Sequence, residues 1–123
     1  MDTERAVCES FQRAAQLVGQ RWVPQIVWVL LDGRRRFSVL RTAIPEISDT
    51  VLSDRLRDLE SAGILTRTVT PSTPVLIEYA LTEQGRDLAK VIDGLAKWAD
   101  RWSAADVPSV VLMPSISGRF WPV

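Results

Sequence analysis

A chain of 123 residues has room for one substantial hydrophobic core and excludes a two-domain architecture. Its composition, 46% hydrophobic and 24% charged, excludes wholesale disorder. Fifteen basic residues balance fifteen acidic ones, which excludes a global attraction to nucleic acid and leaves any such affinity to local arrangement.

Val7, Phe11, Ala14 and Val18 recur at helical spacing and predict a first helix that stops at Gly19. Pro24 suits the first turn of a second helix running through Val27, Leu30 and Leu31 to Gly33. A short third helix carries Phe37, Leu40 and Ile44 on one face and ends at Pro45, because a residue before proline is pushed out of helical geometry. Ser48 is positioned to cap a fourth helix, with Asp49 beside its positive end and Leu52, Leu56 and Leu59 facing inward as far as Gly63. The period then changes. Residues 64–70 are rich in Thr, Val and Leu, residues 75–81 alternate Val75, Ile77, Tyr79 and Leu81, and the turn-rich Thr70–Pro74 segment joins them into a β-hairpin. Thr82 caps a long last helix, in which Leu88, Leu95 and Trp102 repeat every seven residues beside Val91, Ile92, Trp98 and Ala99. That repeat predicts packing against another long helix, and no other segment of the chain bears a matching stripe, so a second copy of the chain is the expected partner. Residues 107–123 combine Val110, Val111, Leu112, Met113, Phe120 and Trp121 with three prolines, and are expected to fold as an apolar tail onto the body or onto the partner subunit.

The function classes narrow accordingly. The longest unbroken apolar run, residues 26–31, is far too short to cross a bilayer, so no membrane partner is expected. No basic, apolar and small-residue leader opens the chain, so a cytoplasmic location is expected. Cys8 stands alone, which excludes an intrachain disulfide. With no histidine, one cysteine, no phosphate-binding glycine loop and no clustered metal ligands, neither a metal nor a cofactor nor enzymatic activity is expected. Asp54 and Asp58 are one helical turn apart, but they suit a solvated face better than an acid–base pair.

The order helix, helix, short helix, capped helix, hairpin and long helix defines a mainly α fold with a small β-hairpin, the winged helix-turn-helix. Local residues sharpen this: Cys8, Gly19-Gln20-Arg21-Trp22, the stretch 33–41 from Gly33 to Arg41, Ile47-Ser48, the stretch 51–59 from Val51 to Leu59, the stretch 78–85 from Glu78 to Gly85, and Trp98. Together they resemble the HxlR-type regulators, relatives of the MarR-like regulators, over roughly residues 8–102. The resemblance implies a homodimer built from the N-terminal and long C-terminal helices, a fourth helix that enters the major groove, and a wing along the neighbouring backbone. It implies a sequence-specific transcriptional regulator acting on an inverted repeat of double-stranded DNA. Residues 1–106 would then form the winged domain with its dimerisation helices. Thr50 stands where members usually carry a lysine, and Val75 and Leu76 where they usually show an arginine or lysine. These departures imply weaker or more selective DNA contact, and they keep open a winged helix that binds a ligand or protein and has lost tight DNA recognition.

Several residues follow as candidates. With the leucines of the fourth helix inward, Thr50, Ser53, Asp54 and Arg57 project outward to phosphates or base edges, and Ser48 lies at its start. The less specific reading is a solvated face with an Asp54–Arg57 or Arg57–Glu60 pair. Arg55 is expected at the rim, where it could brace the fold. Arg34, Arg35 and Arg36 form a phosphate-seeking run, one of them expected to pair with Asp32 or Glu60; Ser38 and Arg41 lie on the next helix, and Ser72 and Thr73 in the wing. Between Arg34 and Arg67 seven arginines face five acids, a modest basic bias. Cys8 reads either as a small hydrophobe or as a sensor of oxidants and electrophiles. Phe11, Trp22, Trp28, Tyr79, Trp98, Trp102 and Trp121 read either as core and dimer interface or as the walls of a pocket for a flat aromatic effector.

Overall fold

The computed structural model describes residues 6–106; the apolar tail 107–123, with Trp121, lies outside the described residues. Five helices and a small sheet follow in the order α1 (Glu9–Val18), α2 (Val23–Leu30), β1 (Arg35–Arg36), α3 (Phe37–Ala43), α4 (Asp49–Ser61), β2 (Leu65–Thr70), β3 (Leu76–Leu81) and α5 (Glu83–Asp106). The strands are antiparallel in the order β1-β3-β2.

The core is one apolar cluster to which every element from α2 to α5 except β1 contributes. α2 buries Val23, Ile26, Val27 and Leu30, α4 buries Leu52, Leu56 and Leu59, and Leu40, Ile44 and Ile47 close the corner between α3 and α4. Ile64, Leu65 and Leu81 supply the sheet side, and Ala89 and Ile92 the first half of α5. Trp28 is half exposed, yet its indole Nε1 donates to Asp93 Oδ1 at 3.0 Å and ties α2 to α5. Lys97 first and then that indole hold the Asp93 carboxyl below the usual carboxylate range.

The expected hairpin forms, and a third strand joins it: Arg35 pairs with Tyr79 and Arg36 with Glu78 along its edge. A two-residue strand shows no alternation, so on sequence it reads only as a basic run ahead of α3.

The turn from α4 into β2 and the start of α5 are locked together. Gly63 takes φ 81°, which an L side chain rarely adopts. Thr82 Oγ1 donates to the Gly63 carbonyl at 2.6 Å and accepts from Gly85 N at 3.0 Å, so the expected cap also clasps the turn. Gly85 is buried there, and a Cβ on it would lie 2.0 Å from the Ile64 carbonyl oxygen. Helix propensity alone would make Gly85→Ala stabilising by about 1 kcal/mol. The backbone contact should win, and we expect Gly85→Ala to lower stability by about 2–3 kcal/mol in urea unfolding.

Two faces stay open. α1 buries none of its side chains, and Phe11 is 62% exposed. On α5 the stripe diverges: Ile92 turns into the core and Leu88 packs against it, while Val91 (70% exposed), Leu95, Trp98 (58% exposed) and Trp102 stay in solvent.

Candidate nucleic-acid interface

The outward face of α4 is fixed from its first residue. Ser48 Oγ accepts from Val51 N at 3.1 Å, so its hydroxyl is engaged as the helix cap. With the leucines buried, Thr50 and Arg57 are exposed and Ser53 and Asp54 half-buried, on the face expected. Asp54 accepts from Arg57 Nη1 at 3.1 Å, and Arg41 pairs with Asp49 across the corner between α3 and α4. These pairs lie at the surface, where such a contact is worth less than about 1 kcal/mol and exchanges readily for a phosphate. Ser38 and Arg41 line a hollow at that corner with Phe37, Thr42 and Asp49.

The three arginines before α3 do not act alike. Arg34 pairs with Glu78 at 3.4 Å, not with Asp32 or Glu60, because the β1–β3 pairing brings Glu78 alongside. Arg35 is half-buried and donates to the Arg34 carbonyl at 2.9 Å. Arg36 is exposed and makes no ion pair among the described residues. At the wing tip Ser72 and Thr73 are exposed, and Ser72 Oγ donates to the Pro74 carbonyl at 2.6 Å.

Arg55 braces α4 rather than extending its outward face. Its Nε donates to the Arg21 carbonyl at 2.9 Å, and Gln20 Nε2 donates to Asp58 Oδ2 at 3.3 Å. Both bonds tie α4 to the turn between α1 and α2, where Trp22 sits at φ 77° with the Arg21 guanidinium 4.8 Å from its ring centre.

Sequence reasoning did not single out a cleft of about 410 Å³ between α4 and the sheet, lined by Ser53, Leu56, Arg57, Glu60, Arg67 and Tyr79. A signal for it existed. Side chains two apart on a strand share a face, so Arg67 follows buried Leu65 on the side toward α4. Across the ladder Arg67 stands opposite Tyr79.

The candidate aromatic residues lie in separate places. Trp22 packs partly on the core, Trp28 bridges α2 and α5, Tyr79 lines the cleft beside α4, and Phe11, Trp98 and Trp102 are exposed on the two open faces. Among the described residues, no tryptophan lines the cleft that holds Tyr79. Cys8 is exposed at the N-cap of α1, its Sγ 3.5 Å from Ser10 Oγ. The Ser10 hydroxyl, followed by the Phe11 backbone N–H, holds the thiol below its ordinary pKa.

A short helix, a capped helix with an apolar inner face, and a protruding hairpin on a three-stranded sheet define a winged helix-turn-helix protein. The chain belongs to the HxlR-like helix-turn-helix family, which residues 17–107 match, and it is a transcriptional regulator of the helix-turn-helix type. It is 45% identical over 96 residues to the HTH-type transcriptional regulator YvaP of Bacillus subtilis, covering 78% of this chain and 89% of that one. The reduced form of the B. subtilis transcriptional regulator YodB superposes with a TM-score of 0.69 at 40% identity, covering 79% of this chain and 95% of that one. The redox regulator HypR in its reduced form does so at 0.73 and 29%, covering 82% and 99%. YodB has also been solved bound to quinone, with a TM-score of 0.66 at 36% identity, covering 78% of this chain and all of that one. Among the described residues no helix is long and apolar enough to cross a membrane.

Because hydrogen bonds favour the charged form of Cys8, the folded protein should carry thiolate at lower pH than an unstructured cysteine. The rate of iodoacetamide alkylation should therefore rise through a lower pH range in the native protein than in urea. Ser10→Ala should move that range upward and slow the reaction at neutral pH.

Proposed function

We propose that this regulator is a homodimer that binds an inverted repeat in double-stranded DNA, with one α4 in each major groove, and that electrophiles acting at Cys8 control it. The observation that carries the reading is the capped α4 itself: three leucines fix its rotation and leave Thr50, Ser53, Asp54 and Arg57 outward. Arg36, Ser38, Arg41 and the wing residues Ser72 and Thr73 flank it as backbone contacts. The two reading helices of such a dimer sit about one turn of DNA apart, roughly 34–36 Å.

The open apolar faces support the dimer. Phe11 on α1 and Val91, Leu95, Trp98 and Trp102 on α5 are large apolar side chains left about half exposed or more, the kind of surface that marks a protein contact. A second copy, contributing the same two helices, covers both faces by symmetry.

The signal follows from Cys8. Exposed, and with its thiolate favoured, it can attack a quinone: a sulfur–carbon bond forms, the ring electron pair moves to one quinone oxygen, which takes a proton from water, and the hydrogen on the attacked carbon shifts to the other oxygen to give the hydroquinone adduct. No second thiol is needed, which suits a chain with one cysteine. Such an effector is both flat and electrophilic, and the quinone-bound structure of YodB makes it a reasonable class to test. Cys8 stands at the start of a helix of the proposed interface, so an adduct there would change how the two copies meet.

The experiment is fluorescence anisotropy with the duplex immediately upstream of the gene against random duplex, across a salt series. Tight, sequence-dependent binding that weakens steeply with salt is expected. Arg57→Ala should cost about 1–3 kcal/mol on the specific duplex. Benzoquinone should shift wild-type affinity and leave Cys8→Ser unaffected. Trp98→Glu should convert the dimer to monomer in analytical ultracentrifugation. If no duplex outcompetes random DNA at low salt, the pairs Arg41–Asp49 and Asp54–Arg57 with Thr50, Val75 and Leu76 favour the second reading, a ligand- or protein-binding winged helix.

A further inference from the structure

We infer that the cleft between α4 and the sheet is a seat for a phosphodiester of the DNA backbone, with Arg67 as its principal cation and Glu60 as a built-in brake on its affinity. The inference rests on the DNA-binding reading above and adds to it a site and residues that the reading does not use. Two arginines, Arg57 from α4 and Arg67 from β2, line one hollow of about 410 Å³ together with Ser53, Leu56, Glu60 and Tyr79. Donor-bearing side chains brought to one hollow by a helix and a strand suit an anion with several acceptor oxygens. The cleft is continuous with the proposed reading face, because Ser53 and Arg57 belong to both.

The two arginines differ in readiness. Arg57 already pairs with Asp54 at 3.1 Å and must give up that partner to meet a phosphate. Arg67 makes no ion pair among the described residues, is exposed, and is held on a strand whose ladder places it opposite Tyr79. Glu60 shares the cleft and makes no ion pair among the described residues. Beside a phosphodiester it contributes like-charge repulsion that offsets part of the attraction of Arg67. The cleft therefore holds a strand without gripping it, and it contributes no sequence preference.

The test uses the full chain and the same anisotropy assay over a salt series. Arg67→Ala should lower affinity about tenfold at 0.1 M salt, by the same factor on specific and random duplex, and reduce the slope of log affinity against log salt by about one. Glu60→Gln should tighten both duplexes about threefold, an outcome that lost folding would not produce. If the wild type binds DNA and Arg67→Ala leaves the slope unchanged, the phosphodiester seat is overturned while the DNA-binding reading stands. If the wild type binds no duplex, both fall, and a titration with inorganic phosphate followed at the Arg67 side chain by NMR decides what the cleft is. A saturable shift there would make it a site for a free anion instead.

Discussion

The burial of α2 is the constraint on which the rest of the molecule depends. Val23, Ile26, Val27 and Leu30 are almost wholly removed from water, and α2 packs on α5, α3 and the hairpin strand β3. At about 25 cal/mol per Å² of apolar surface, each such side chain contributes about 1.5–3 kcal/mol relative to an exposed one. Surface ion pairs are worth less than about 1 kcal/mol each, so the outward face of α4 inherits its geometry from the core. α4 can present hydroxyls and a guanidinium outward because Leu52, Leu56 and Leu59 are anchored in the same cluster.

Against that rigid centre the outer polar groups are weakly committed. Arg41 and Arg57 rest on aspartates, Arg34 on Glu78, and Arg67 on no acid among the described residues. Surface pairs of this kind are worth little and are screened by salt. They hold the side chains near useful positions without opposing their transfer to phosphate. In the proposed function a neutral chain keeps local sites for DNA in this way, and the proposed seat with its opposing Glu60 is a further instance.

Much of the fold was legible because its signals are periodic and repeated. The leucines of α4 and the alternation from Ile77 to Leu81 repeat the spacing of a helix and of a strand, Ser48 marks a helix start, and the seven-residue repeat of α5 marks one long helix. What escaped were contacts between residues distant in sequence. β1 is too short to show a period, and the partner of Arg34 lies 44 residues away. The Trp28–Asp93 bond spans 65 residues and joins faces that each look ordinary alone. Arg67 was detectable from its register with Leu65, yet its meaning as part of a cleft required knowing which helix lay opposite. The α5 stripe also conceals a division of labour, since Ile92 and Val91 are adjacent in sequence but one is buried and the other bare.

The clasp at Gly63, Thr82 and Gly85 gives the molecule a mechanical property. Gly85 lets the first turn of α5 ride directly on the Ile64 backbone, with no side chain between them to deform. α5 runs for 24 residues, about 36 Å, and beyond the clasp its first half is held by Ala89, Ile92 and the Trp28–Asp93 bond. The part beyond Asp93 projects as a stiff lever of roughly 20 Å. A tilt of roughly 5° at its base carries the far end through roughly 2 Å, and a comparable tilt imposed on the far end returns through α2 and the clasp as torque. The spacing of two reading helices mounted on such rods would then be set by angle more than by contact.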